Sequence, residues 1–230
     1  MFLSKLVLNL RNPHVRRDLG RPYDMHRTVL NCGFAGRDKD EFGRVLFRVD
    51  ADGVRPVVLV QSVAEPDWAA LPPGYVSASP DCKPFAVAVA VGQRLRFRLR
   101  ANPSKRVAST NPRLGGVMVG KRVGLVTEGE RVRWLLRKGA NGGFVVLGGW
   151  VPGRHPGTDE PVEVPNFRVN VIPEGRVYNS KVGHEGGVFT GVRFEGVLEV
   201  TDPAAFAATV ATGVGSGKGY GFGLLSLAPV

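Results

Sequence analysis

Residues 94–100 alternate strictly between basic and apolar side chains. Leu95, Phe97 and Leu99 fall on one side of an extended chain, and four arginines fall on the other. Because successive side chains of a β-strand point to opposite faces, this pattern predicts a half-buried strand with one cationic face. An alternating charged face is usually solvated, but four like charges repel each other, which favours an anionic cover over this one.

The composition is that of a globular protein with a cationic surface. In 230 residues, 43% are hydrophobic and 22% are charged, which suffices for one large domain or two small ones. Lysine and arginine number 31 against 20 acidic residues, a net charge of +11. Such a field attracts phosphate backbones, so a polyanionic partner is expected.

Several classes of protein are disfavoured by the same sequence. No apolar run approaches the roughly 20 residues of a membrane helix, so we expect a cytoplasmic protein without a membrane partner. Cys32 and Cys82 lack the spacing of a zinc site or a redox motif and are expected to be small buried residues. With no cluster of metal-ligand spacing elsewhere, we predict no metal and no cofactor.

The order of predicted elements indicates an α+β fold of two tandem ferredoxin-like (RRM-like) domains. Each half reads as strand, helix, strands, helix, strand, although the second helix of the first half has only residues 65–70 as a candidate. A capping box at Thr127 and Glu130 opens a helix ending near Gly139, a hairpin is expected around residues 173–175, and Asp202 caps a helix to about Gly213. The predicted boundaries are residues 1–103 for the first domain, 104–120 for the linker and 121–230 for the second domain.

A candidate catalytic pair lies on the helix that Pro22 opens. Tyr23 and His26 are three residues apart, so they share a helix face. RNA cleavage without a metal needs a base for the 2'-hydroxyl and an acid for the 5' oxygen, and these two side chains can supply them. From the residues alone, the favoured interpretation is a tyrosine and a histidine that are merely half-buried on an amphipathic helix.

The second candidate is a series of alternating glycines near the end of the sequence. Six glycines occupy every second position from 213 to 223, with Lys218 among them. Glycines let the backbone approach a ligand closely and present amide hydrogens to phosphate. The series is not a nucleotide-triphosphate loop, because Gly217-Lys218 is followed by another glycine instead of serine or threonine.

Motifs along the whole chain resemble the CasE family, the CRISPR RNA-processing endoribonucleases of type I-E Cascade complexes. Six such motifs occur in the family's order, and the C-terminal one is the most specific. They are residues 1–10, 23–26, 95–105, 120–123, 194–198 and 213–229.

This resemblance implies a metal-independent endoribonuclease that cleaves at the 3' base of the CRISPR repeat hairpin and leaves a 2',3'-cyclic phosphate. It implies two partners, the repeat RNA hairpin and the other Cascade subunits, and it assigns His26 and Tyr23 as catalytic. The family's basic hairpin falls on residues 168–181, where this sequence is less basic than the family. The residues predicted to bind RNA are Arg27, Arg94, Arg96, Arg98, Lys105, Lys121, Arg122, Arg168, Arg176, Lys181, Gly215, Gly217, Lys218, Gly219 and Gly221.

Two alternatives stay open from the sequence. One is a non-catalytic subunit of the same fold that binds the repeat RNA with His26 idle. The other is an unrelated ferredoxin-like RNA-binding protein, which would show no preference for a hairpin repeat.

Overall fold

The computed structural model describes residues 1–51, 53–107, 120, 122–154, 157–178 and 188–230. In this part of the chain the strands form two principal antiparallel sheets, each with helices on one face. No helix among these residues is long and apolar enough to cross a membrane.

The first sheet is built from the N-terminal part of the chain. Its strands run in the order β2-β3-β1-β4, and every neighbouring pair is antiparallel. Helices α1 and α2 pack near it, followed by the short α3. The bounds are β1 Phe2–Val7, α1 Pro13–Gly20, α2 Pro22–Gly33, α3 Lys39–Phe42, β2 Val45–Asp50, β3 Val57–Ser62 and β4 Asp81–Pro84.

Helix α2 is positioned by its apolar stripe. Pro22 occupies its first turn, where the missing N–H costs nothing, and the helix runs to Gly33 as predicted. Met25 and Val29, one helical turn apart, are 1% exposed and join Phe47 in the core of this sheet. Tyr23 and His26 therefore lie at the edge of the buried stripe, half-exposed.

The second sheet includes a strand that was expected to belong to the first domain. Its order is β11-β12-β5-β13, and β8 pairs with the end of β12. Helices α4 and α5 share its core. The bounds are β5 Arg94–Ala101, β6 Ser104–Arg106, β7 Arg122–Gly124, α4 Glu128–Asn141, β8 Phe144–Val146, β9 Gly148–Arg154, β10 Pro161–Phe167, β11 Val169–Tyr178, β12 Val188–Val200, α5 Pro203–Thr212 and β13 Leu225–Pro229.

The alternating strand is confirmed, but its place in the architecture differs from the expected one. Leu95, Phe97 and Leu99 are buried in one cluster with residues of α4 and α5, so their apolar face commits β5 to the second sheet. The chain thus passes from one sheet to the other between β4 and β5, before residue 103. Strands β6 and β7, at the edges of the predicted linker, pair with each other as a separate small hairpin.

The helix starts predicted from capping residues are confirmed, whereas the hairpin predicted from turn residues is not. Thr127 and Glu130 form the capping box of α4, and Asp202 accepts from two backbone N–H groups at the start of α5. The hairpin expected at residues 173–175 is wrong, because this segment is an irregularity inside β11, opposite β12. The candidate second helix of the first half is only a 3₁₀ turn, Trp68–Ala70. Cys32 and Cys82 are half-buried and not disulfide-bonded.

Side-chain hydrogen bonds join the two sheets. Gln61 on β3 donates to the carbonyl oxygen of Val210 on α5 at 2.8 Å. Arg48 on β2 is 3% exposed, forms an ion pair with Asp50 and donates to the hydroxyl of Ser226 on β13 at 2.8 Å. Since a buried charge without its partners is costly, these contacts hold the two sheets together at this junction.

Candidate active site

Helix α2 meets the glycine series at one short turn. Residues Lys218–Tyr220 form a 3₁₀ turn that contacts α2. The rings of Tyr23 and His26 are 6.4 Å apart between centroids, and Tyr23 is 6.3 Å from Tyr220. A Cβ atom built on Gly219 would lie 3.5 Å from Cε1 and 3.6 Å from Nε2 of His26. The Cε1–Nε2 edge of the imidazole therefore faces this turn.

The surroundings of His26 favour its neutral form. The imidazole stacks on Phe47, with ring centroids 6.2 Å apart, and is half-buried. Burial lowers the pKa of His26, and the positive charge of Lys39 lowers it further. At neutral pH the ring can accordingly accept a proton.

The turn that faces His26 is held by glycines on either side of it. Gly217 and Gly221 have φ angles of 80° and 78°, in the left-handed region that disfavours other residues. A Cβ on Gly221 would lie 3.2 Å from the Phe47 ring, and one on Gly217 would lie 2.9 Å from Phe222. Gly219 differs from both, because its φ is not positive and a Cβ there would meet nothing closer than His26. The first two glycines shape the turn, whereas Gly219 leaves the imidazole accessible.

Lys218 brings positive charge to the same turn. Its side chain is half-buried, and burial lowers its pKa, with the charges of Arg44 and Lys138 lowering it further. Positive charges from other parts of the chain therefore act on Lys218. An anion placed there would relieve that repulsion.

Arg100 is a site residue that the predicted set omits. Its guanidinium lies 4.4 Å from the centroid of the Phe222 ring and forms an ion pair with Glu174. It lines a cleft of about 400 Å³ together with Tyr23 and Arg176. The strict alternation of residues 94–100 places Arg100 on the cationic face, but nothing in the sequence shows that this end of the strand lies beside Tyr23.

The remaining predicted residues fall into separate groups. Arg27 is exposed on α2 next to His26, and Arg168 is exposed just before β11. Lys105 and Arg122 line a different cleft, which Gly215 also lines. Lys121 and Lys181 lie outside the described residues.

The cationic face of β5 is covered largely by carboxylates of the protein. Arg94 pairs with Glu199 at 2.9 Å, and Arg98 pairs with Glu195 at 2.7 Å. Arg96 is exposed. Carboxylates of the fold thus relieve much of the repulsion between these arginines, and RNA contact by Arg94, Arg96 and Arg98 stays a prediction. Within the described ranges, no three His, Cys, Asp or Glu side chains are grouped as metal ligands.

Comparison with known proteins gives the family. A model of the family described as "CRISPR associated protein" matches residues 1–229. The chain belongs to this family of CRISPR-associated proteins. The resemblance drawn from the sequence motifs is thereby confirmed.

One relative in this CRISPR-associated family matches this chain over its full length, and another matches about three fifths of it. The CRISPR-associated endoribonuclease Cse3 of Thermus thermophilus is 44% identical, and the match covers 100% of both proteins. The Cascade subunit CasE of Escherichia coli is 37% identical over 61% of this chain and 60% of its own length. A solved structure of Cse3 bound to a 19-nucleotide RNA has a TM-score of 0.78 at 43% identity and covers 100% of both chains.

Proposed function

We propose that this protein is a metal-independent endoribonuclease that cuts CRISPR precursor RNA at the 3' base of each repeat hairpin. It then stays bound to the hairpin product as a subunit of Cascade. The observation that carries the proposal is the His26 imidazole, kept neutral by burial, with its Nε2 edge facing the Gly219 turn. The names of the relatives, an endoribonuclease and a Cascade subunit, agree with it.

The architecture we propose is a tandem of two ferredoxin-like units, the second beginning at β5. The order β2-β3-β1-β4 supports the first unit, since a βαββαβ chain gives this antiparallel arrangement. The elements β5, α4, β8, β12, α5 and β13 repeat the pattern, with β13 and β12 on either side of β5 and β8 beyond β12. In the first unit the 3₁₀ turn Trp68–Ala70 takes the place of the second helix.

The reaction we propose uses the substrate's own 2'-hydroxyl as nucleophile. Nε2 of His26 takes the proton of this hydroxyl, and the 2' oxygen forms a bond to the adjacent phosphorus. The bond from phosphorus to the 5' oxygen breaks, and that oxygen takes up the proton that His26 had accepted, so the imidazole returns to its neutral form. The products are a 2',3'-cyclic phosphate and a 5'-hydroxyl. The reaction consumes no water and requires no metal ion.

Other side chains of the site bind and orient the phosphate. The phenol of Tyr23 stands beside His26 and beside the cleft that Arg100 and Arg176 line, where it can hold a phosphate oxygen. Lys218 and the amide hydrogens of the glycine turn offset the charge that builds up on the phosphorane. Arg27, at the exposed side of α2, is placed to contact the neighbouring backbone.

The test is the cleavage of a repeat hairpin RNA by the His26→Ala variant. The rate should fall by about 100-fold or more, as is typical for the loss of a general acid or base, while the affinity for the RNA changes little. His14→Ala is the matched control, because His14 is exposed on α1, and its rate should equal that of the wild type. A His26→Ala variant that cleaves at the normal rate would remove His26 from the chemistry, and an inactive wild type would favour the non-catalytic RNA-binding subunit.

A further inference from the structure

A second cationic cleft lies between the β6–β7 hairpin and α4. It measures about 580 Å³ and is lined by five basic residues: Lys105, Arg106, Arg122, Arg137 and Lys138. Lys105 is paired with Glu130 at 2.9 Å. Arg106, Arg122 and Arg137 are exposed and form no ion pair with any described residue. The cleft therefore holds positive charge that the described part of the protein does not neutralise.

The fold places like charges against each other in this cleft. Arg106 on β6 is directly opposite Arg122 on β7 in the antiparallel register, an arrangement that destabilises a strand pair. On α4, Arg137 is followed by Lys138, whose charge acts on Lys218. A bound polyanion would remove this repulsion, whereas an empty cleft retains it.

The cleft is continuous with the active-site turn along one loop. Gly215 and Ser216 line the cleft, and the same loop then forms the turn at Lys218–Tyr220. Gly219 in that turn faces His26. A nucleic-acid strand that passes His26 and follows this loop therefore reaches the cleft.

We propose that this cleft binds the phosphate backbone of the single-stranded RNA flank immediately 3' of the cut site. The inference rests on the proposed function, since a cut at the 3' base of a hairpin leaves the stem on one side and an unpaired strand on the other. A single strand is flexible enough to turn over the glycine loop, and a basic groove is the usual track for its backbone. Trp134, the aromatic side chain among the described lining residues, is only 4% exposed, so these residues offer bases no platform for stacking. Recognition of the flank is therefore electrostatic and independent of its sequence.

The experiment measures binding of two uncleavable RNAs, each with a 2'-deoxy nucleotide at the cut site. One RNA ends shortly after that site, and the other continues with a single-stranded 3' extension. The variant Arg106→Gln/Arg137→Gln should bind the extended RNA at least about tenfold more weakly than the wild type does, because each lost contact is a charged hydrogen bond. It should bind the short RNA normally. For the extended RNA, the slope of log K against log salt concentration should become less steep by about 1.4 in the variant. This is the value expected for the loss of two phosphate contacts on a single strand.

The control variant is Arg11→Gln/Arg55→Gln, which removes the same charge from a different cleft. It should bind both RNAs as the wild type does, and a changed flank sequence should leave the wild-type affinity unaltered. Equal losses on both RNAs, no loss at all, or a matching loss in the control would overturn the proposal. A wild type that binds the extended RNA preferentially but cleaves no repeat RNA would contradict the proposed function and leave the cleft assignment standing.

Discussion

His26 combines partial burial with access to a ligand. His14 is exposed on α1, and His155 and His184 lie outside the described residues. The i, i+3 spacing from Tyr23 predicts the shared helix face, which the structure confirms. The contacts with Phe47 and with the Gly219 turn could not be predicted, because these residues come from β2 and from the distant end of the sequence.

The lowered pKa of His26 predicts the form of the pH dependence. If the neutral imidazole is the base, kcat/KM rises as His26 loses its proton and levels off above its pKa. That midpoint should lie below the usual imidazole value of about 6.5. The Lys39→Gln variant removes a positive charge that disfavours the imidazolium, so the pKa of His26 rises and the acidic limb should move to higher pH. A pH–rate profile measures this shift.

The control for the pH profile is Lys5→Gln, an exposed lysine on β1. Its profile should coincide with that of the wild type, as should the rate of Lys39→Gln on the alkaline plateau. An acidic limb that stays in place in Lys39→Gln would show that another group limits the rate.

In the glycine turn, two glycines that look alike in the sequence have different roles in the structure. Alternating glycines predict a close approach of backbone to RNA at every position. In the structure, Gly221 has a left-handed φ and approaches Phe47, whereas Gly219 has neither constraint. The backbone angles decide this difference, and they depend on how the turn packs against α2.

Alanine at each of these glycines should therefore have a different effect. Gly221→Ala should destabilise the fold by about 1–2 kcal/mol, the cost of a left-handed residue, and lower the melting temperature by several degrees. Gly219→Ala should leave melting unchanged, because its Cβ makes ordinary contact with the imidazole. That methyl group covers the Cε1–Nε2 edge, so cleavage of the hairpin RNA should slow. Thermal melting beside a cleavage assay distinguishes the two, and a large melting loss in Gly219→Ala would contradict the assignment.

Strand β5 shows what an alternating sequence pattern can predict and what it cannot. Alternation in residues 94–100 predicts the strand and its two faces, because period two follows from backbone geometry alone. It carries no information on which helices the apolar face meets, and these turn out to be α4 and α5. The carboxylates Glu195 and Glu199, which pair with its arginines, come from the neighbouring strand β12. Such partners depend on the pairing register of the two strands, which the sequence does not give. The sequence therefore predicted a face of uncompensated positive charge, whereas in the structure most of these arginines form ion pairs.

In the whole molecule, the site exists because the two sheets meet. Tyr23 and His26 belong to the first, whereas Lys218, Gly219 and Arg100 belong to the second or to its loops. The buried hydrogen bonds of Arg48 and Gln61 across the junction keep these parts together. In the proposed function, the net charge of +11 attracts the RNA, and the junction of the sheets places the imidazole where the RNA would be cut.

Metal-independent attack by the 2'-hydroxyl is tested by a cleavage assay of a repeat hairpin RNA in excess chelator, beside the same RNA with a 2'-deoxy nucleotide at the cut site. The wild type should cut the all-ribose RNA at its full rate in chelator, because His26 and the 2'-hydroxyl supply the chemistry. The deoxy RNA should bind but stay uncut, since it lacks the nucleophile. Loss of cleavage in chelator, or a cut in the deoxy RNA, would contradict the mechanism.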